Sequence, residues 1–167
     1  MKKTVYLSLG SNLGDRAGNL REAVSRLGEL GEIKAVSAVY ETEPVEVEGG
    51  QPWFLNCALC METQLMPRQF LVRMLAIEKQ MGRRRYGIKA PRTIDMDILL
   101  FGRAAIDTPE LTIPHPGLEH RRFVLQPLAD IAPDLRLPVS KRTVTEILDA
   151  LPPDCGVVRR TVENLIS

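Results

Sequence analysis

An α+β sandwich, a mainly antiparallel sheet with helices packed on it, is the fold class this sequence predicts. Three observations predict it. Hydrophobic periodicity switches along the chain in the order strand, helix, strand, strand, helix, strand. The length of 167 residues is that of one domain, so residues 1–167 read as a single unit. A composition of 44% hydrophobic and 26% charged residues is that of an ordinary globular chain, neither disordered nor membrane-embedded.

Residues 4–9 alternate as a first strand and run into the turn-rich Gly10-Ser11-Asn12-Leu13-Gly14-Asp15. Leu20, Val24, Leu27 and Leu30 recur at helical spacing over 17–30, with Gly31 just past the end. A second strand over 33–40 places Ile33, Ala35, Ser37 and Val39 on one face. The Pro, Gly and carboxylates of 41–52 predict a long exposed loop. Residues 53–63 read as a third strand, and 67–81 as a helix opened by Pro67 and closed by Gly82. A second long loop, 82–92, holds five cationic residues and no carboxylate. The fourth strand, 93–101, turns at Phe101-Gly102-Arg103 into a hairpin with 104–106. A Pro-punctuated stretch follows, with a short helix near 117–128, and the capping box Thr143-Val144-Thr145-Glu146 opens a last helix to Leu151. This order is the split arrangement of ferredoxin-like folds.

The 22 Lys and Arg against 21 Asp and Glu leave a net charge of +1, which excludes a general polyanion binder. Sixteen of the 22 cations are Arg, the residue that grips phosphate bidentately, so their clustering carries the information. No run approaches the roughly 20 apolar residues of a membrane span. The short apolar run after Met1 lacks a cleavage site and reads as a strand, not a signal peptide. Three cysteines, Cys57, Cys60 and Cys155, make no disulfide framework, and a reducing cytoplasm is the expected setting.

The densest chemistry lies in Pro91-Arg92-Thr93-Ile94-Asp95-Met96-Asp97-Ile98-Leu99-Leu100. On a strand, Thr93, Asp95 and Asp97 share one face while Ile94, Met96 and Ile98 point into the core. Paired carboxylates are either a solvated strand face or ligands for a hard divalent ion such as Mg²⁺. The Arg-rich loop ends at Arg92 beside them, so phosphate-binding cations and metal-binding anions converge at one strand entrance, as a Mg–nucleotide site requires. Arg83, Arg84 and Arg85 admit a plainer reading as a helix end favoured by the dipole. No Gly-x-x-x-x-Gly-Lys-Ser/Thr loop is present, so phosphate charge falls to Arg side chains and metal.

Phe54, Asn56, Ala58 and Cys60 share a strand face, either as a core strand with one amide or as a platform that stacks on and hydrogen-bonds a flat polar heterocycle. Cys57-Ala58-Leu59-Cys60 is a Cys-x-x-Cys only formally, because an offset of three on a strand puts the sulfurs on opposite faces. Glu78 falls on its helix's apolar face and needs a partner, whether an Arg of the next loop or a bound nucleotide. His115 sits in an exposed turn between two prolines, with an imidazole able to donate to phosphate. His120 reads as a surface residue. Arg121-Arg122-Phe123 reads as a second wall of the same site.

These residues resemble the defining motifs of the 6-hydroxymethyl-7,8-dihydropterin pyrophosphokinases of folate biosynthesis. The resemblance rests on Pro91-Arg92-Thr93-Ile94-Asp95-Met96-Asp97-Ile98-Leu99, together with Leu9-Gly10-Ser11-Asn12-Leu13-Gly14, Tyr40-Glu41-Thr42-Glu43-Pro44, Phe54-Leu55-Asn56, Gly82-Arg83-Arg84-Arg85, Leu111-Thr112-Ile113-Pro114-His115 and Arg121-Arg122-Phe123-Val124-Leu125-Gln126-Pro127-Leu128. It covers residues 4–150 and implies a ferredoxin-like monomer that moves the β,γ-diphosphoryl group of ATP to the pterin's hydroxymethyl oxygen and releases AMP.

By the same resemblance, Asp95 and Asp97 hold two Mg²⁺ ions that bridge the triphosphate, the substrate hydroxyl approaches one of them, and Asp95 also counts among the pterin-binding residues. Arg83, Arg85, Arg92, His115 and Arg121 contact the phosphates or orient the nucleotide, with Arg83 and Arg92 counted as catalytic. Thr42, Pro44, Val45 and Asn56 meet the pterin's edge, and Phe54 and Phe123 sandwich its ring. Ile98 and Thr112 hold adenosine, and Glu78 stands near the nucleotide. The chain departs from the family at Ile88-Lys89, where a basic and bulky pair is common and Tyr86 is a substitute lid. It departs again at Glu43, and at Leu75 in place of a polar residue. A diphosphokinase for another hydroxymethyl heterocycle is the rival within this architecture. A small RNA-binding module is the rival outside it, opposed by Asp95 and Asp97, which repel phosphate without metal.

Overall fold

The computed structural model describes residues 1–43, 53–82, 93–153 and 158–161. Its centre is a pair of antiparallel strands, β1 (Lys3–Ser11) and β4 (Phe54–Thr63), in register with Leu7 opposite Leu59. Alternation puts Val5, Leu7 and Leu9 on the same face as Leu55, Cys57, Leu59 and Met61, and all seven are buried. Two amphipathic helices cover that face. α1 (Arg16–Leu27) contributes Leu20, Ala23 and Leu27, and α2 (Pro67–Gln80) contributes Phe70, Met74 and Ile77. The Phe70 ring meets Phe101 of β5 (Asp95–Phe101) edge-on at 5.6 Å.

The sheet runs β5-β1-β4, with β2 (Glu32–Val36) and β3 (Tyr40–Thr42) both pairing β4, and β8 (Val158–Arg160) beyond β3. Every pairing among the described residues is antiparallel. The predicted ferredoxin-like order is therefore present in β1, α1, β2, β4, α2 and β5. The second sheet face is also covered, by α3 (Arg122–Ile131) and α4 (Val144–Ala150), whose Val124, Leu125, Leu128, Val144 and Ile147 bury Ala58, Leu99 and Leu100. A small two-stranded sheet, β6 (Ile106–Asp107) with β7 (Thr112–Ile113), stands beside β5.

Several elements differ from expectation, each for a local reason. The first helix ends at Leu27, and Gly31 is a point of close approach: a Cβ there would collide with the Glu62 carbonyl of β4. The second strand is broken between Val36 and Tyr40. The register slips between Ile33 and Ala35, and the Ser37 hydroxyl accepts the Ala58 N–H at 2.8 Å while donating to the Ala38 carbonyl. A side chain replaces a ladder bond there, so Ile33, Ala35, Ser37 and Val39 do not share one face.

Gly102, at φ +53°, donates to Thr4 of β1, and Ile106 pairs with Ile113, so the predicted hairpin onto β5 does not form. The helix expected near 117–128 starts at Arg122 and carries Pro127 inside it. The Thr143 capping box is present: Thr143 accepts from the Glu146 N–H and Glu146 accepts from the Thr143 N–H. Part of the tail beyond Leu151 forms β8. Cys57 and Cys60 do point to opposite faces, and burial pushes the Cys57 thiol up to about 12. Cys155 lies outside the described residues. Among the described residues no helix is long and apolar enough to cross a membrane.

Candidate active site

Gly10 of β1 stands opposite Asn56 of β4 on one side and Asp95 of β5 on the other. Directly opposed residues share a face. Tyr40 lies opposite Asn56, Thr42 opposite Phe54, and Asp97 opposite Ser8. One sheet face therefore carries Thr42, Phe54, Asn56, Gly10, Asp95 and Asp97 across four strands. Further along, the same face is covered by α3, where Tyr40 donates to the Asp130 carboxylate at 2.9 Å.

The Asn56 Nδ2 donates to Thr42 Oγ1, and both residues are buried. Its Oδ1 lies over Gly10, where a Cβ would come within 2.5 Å of it and within 3.3 Å of the Phe54 ring. Glycine at this position is therefore a spatial requirement of the amide. Gly10, expected to open a turn and part of the Leu9-Gly10-Ser11-Asn12-Leu13-Gly14 motif, lies within β1 instead. Phe54 and Phe123 are both half-buried.

Asp95 and Asp97 are half-buried on that face, while Met96 and Ile98 point into the α1 and α2 side of the core, as alternation predicts. Among the described residues β5 is the sheet edge, which leaves backbone donors to be satisfied from outside the ladder. Glu78, 2% exposed on the apolar face of α2, accepts the Met96 N–H at 2.7 Å. Its carboxylate thus fixes the backbone between the two aspartates, a contact the sequence reading did not name.

A cleft of about 300 Å³ opens between α2 and the β6–β7 hairpin, lined by Glu78, Asp95, Asp97, Ile98, Thr112 and His115 among others. Leu75, the apolar replacement noted above, also lines it. Arg68 of α2 and Glu110 of the hairpin pair at 2.5 Å and link the two elements that bound the cleft.

His115 is half-buried rather than exposed. Its Nδ1 accepts the Gly117 N–H at 2.9 Å, so the neutral ring carries its hydrogen on Nε2, 3.8 Å from Asp97 Oδ1. Burial, then the charge of Arg121, lower its pKa, with Asp95 acting in the opposite direction. Arg121 packs on Gly117 and reaches over the Phe123 ring at 5.7 Å. Arg122 does not join this wall. It donates to the carbonyls of Leu151 and Pro152 at the end of α4. His120 is exposed, as expected.

Pro44, Val45, Arg83, Arg84, Arg85, Tyr86, Ile88, Lys89 and Arg92 lie outside the described residues. Among the described residues no three His, Cys, Asp or Glu side chains converge as a metal cage. Two carboxylates on one face suit an ion such as Mg²⁺, which takes its remaining ligands from water and substrate phosphate.

A family profile described as 7,8-dihydro-6-hydroxymethylpterin-pyrophosphokinase matches residues 6–133. The chain is 42% identical over 154 residues to the 2-amino-4-hydroxy-6-hydroxymethyldihydropteridine pyrophosphokinase of Pseudomonas aeruginosa, covering 91% of this chain and 94% of that one. It is 42% identical over 152 residues to the folic acid synthesis protein fol1 of Schizosaccharomyces pombe, covering 90% of this chain and 21% of the relative. Among solved structures, Plasmodium falciparum HPPK-DHPS superposes with a TM-score of 0.72 at 18% identity, over 89% of this chain and 44% of that one, a likeness of fold. The chain spans about a fifth of the yeast relative's length and under half of the Plasmodium chain, against nearly all of the Pseudomonas protein. With the profile covering most of the chain and the bacterial relative matching almost end to end, the chain belongs to the 7,8-dihydro-6-hydroxymethylpterin-pyrophosphokinase family.

Proposed function

We propose that this single-domain chain transfers the β,γ-diphosphoryl group of ATP to the hydroxymethyl oxygen of 6-hydroxymethyl-7,8-dihydropterin and releases AMP. The observation that carries the reading is Gly10, with a buried amide on one side of it and a carboxylate on the other. Two strand spacings, roughly 10 Å, separate β4 from β5 across β1. A flat two-ring heterocycle lying over the glycine has its amide edge at Asn56 and Thr42 and its hydroxymethyl arm at the aspartates.

In this reading Thr42, Asn56, Pro44 and Val45 contact the pterin edge, and Phe54 and Phe123 flank its ring. Asp95 and Asp97 hold two Mg²⁺ ions against the triphosphate. When bound, such ions lower the pKa of the attacking hydroxyl and neutralise phosphate charge. His115 donates from Nε2 to a phosphate oxygen, and Arg121 faces the same region. Arg83, Arg85 and Arg92 supply the remaining positive charge, while Ile98 and Thr112 hold adenosine. Glu78 keeps Asp95 and Asp97 in line through the Met96 backbone. Phosphoryl transfer of this kind rests on positioning and charge, so no separate base is required. The names of the relatives, pyrophosphokinases at about 40% identity, support the same reaction.

Incubation with ATP, Mg²⁺ and 6-hydroxymethyl-7,8-dihydropterin is expected to release AMP in step with pterin consumption. ADP alone, or no nucleotide product at saturating pterin, overturns the proposal. A tight, metal-independent and salt-sensitive complex with RNA supports the binding-module rival instead.

A further inference from the structure

The face of β3 and β4 that points away from the candidate pterin site carries a second group of side chains. Glu41, next to Thr42 in the chain, stands opposite Arg159 of β8 and Leu55 of β4. One oxygen of its carboxylate accepts from Arg16 at 3.1 Å, and the other accepts from Arg159. Arg16, the first residue of α1, also donates to the Trp53 carbonyl at 2.7 Å. The Arg159 guanidinium lies 4.5 Å over the Trp53 ring. Two arginines from distant parts of the chain therefore grip Glu41 and Trp53, which flank residues 44–52 on either side. Burial acts upward on the Glu41 carboxyl, but the hydrogen bonds and charges of the two arginines hold it below the usual carboxylate range.

We propose that Arg16 and Arg159 are positioning residues for pterin binding: they hold Glu41 and Trp53 from behind and so set the strand ends whose next residues, Thr42 and Phe54, face the heterocycle. This rests on the pterin reading above. Global stability is a poor account of the group, because its members are partly exposed and exposed ion pairs add little. Direction is a better one. The Arg16 fork is divided between a carboxylate and a carbonyl, and Arg159 is both paired and stacked, contacts that a mobile ammonium reproduces only in part. Small displacements of groups that orient a substrate are costly. Arg159 also lies beyond residues 6–133, so this support comes from outside the segment the family profile describes.

The test compares wild type with Arg159→Ala in the full chain, reading AMP release, the KM for each substrate and the thermal midpoint. The expected result is a rise of about tenfold in pterin KM, with the ATP KM and the midpoint nearly unchanged. Arg159→Lys recovers part of the loss, and adding Arg16→Ala gives less than the sum, because both act through Glu41. An active Arg159→Ala enzyme with unaltered pterin KM overturns the proposal. So does an equal rise in both KM values with a fallen midpoint, which marks a merely structural contact. If Arg159→Ala does not fold, Glu41→Gln keeps the side-chain shape and is expected to raise pterin KM selectively; no rise overturns the proposal. A wild-type chain that releases no AMP removes the functional reading and this one together.

Discussion

The two halves of the site are built from opposite materials. On the β3 and β4 side, polar groups are buried: Thr42 is 2% and Asn56 5% exposed, joined to each other and seated over Gly10. On the β5 side the carboxylates stay partly in solvent, with the Asp97 side chain 42% exposed at the edge of an open cleft. Buried hydrogen-bonding groups discriminate sharply, since a wrong ligand leaves them unpaired. Half-solvated charges suit a hydrated ion and a flexible triphosphate, which bring ligands and counter-charge of their own. If the proposed function holds, the difference assigns selectivity to the β3 and β4 half and rate to the edge-strand half.

The largest effect that can break this division is at Asp97. Asp97→Ala is expected to lower kcat by about a thousandfold, at the upper range for loss of one charge-stabilising group, while pterin affinity stays near wild type. Titration of pterin by fluorescence beside the AMP assay separates the two, and near-normal turnover removes Asp97 from the metal role. Gly10→Ala is next. The added Cβ meets Asn56 Oδ1 at 2.5 Å, so the amide is displaced, and overpacking costs roughly 1–3 kcal/mol of stability. Pterin KM is expected to rise by more than tenfold with ATP KM little changed. An equal rise in both sinks the division into halves.

The smallest effect sharpens the edge-strand half. Glu78→Ala strands the Met96 N–H and is expected to cost about 1–3 kcal/mol in urea unfolding, with a loss of kcat from misplaced aspartates. Glu78→Gln, which retains an acceptor, is expected to recover most of the stability. If Glu78→Ala unfolds at the same urea concentration as wild type, the Met96 contact is not what holds β5.

The placement of Asp95 and Asp97 on one face, of Phe54 and Asn56 on another strand's matching face, and of Glu78 on an apolar helix face was legible from spacing alone. So was the placement of Cys57 and Cys60 on opposite faces of β4. Each of these follows from the period of one strand or one helix. The Thr143 capping box was legible for the same reason, since both of its hydrogen bonds close within one turn. Less could be read where the backbone itself departs from the regular period. Ser37 substitutes its hydroxyl for a ladder bond and breaks a strand that looked continuous. Gly102 turns toward β1 instead of closing a hairpin.

The amino-acid order by itself determined which side chains share a face, which helices have an apolar stripe, and where cations and carboxylates concentrate, because all of these depend on neighbours a few residues apart. Only the tertiary structure decided which faces meet. Gly10 acquires its role from Asn56, Met96 from Glu78, and Glu41 from Arg16 and Arg159, 25 and 118 positions away. Such contacts arise when strands pair across the sheet and helices settle on it. Pairing is selected by the burial of whole faces, not by any spacing within one segment.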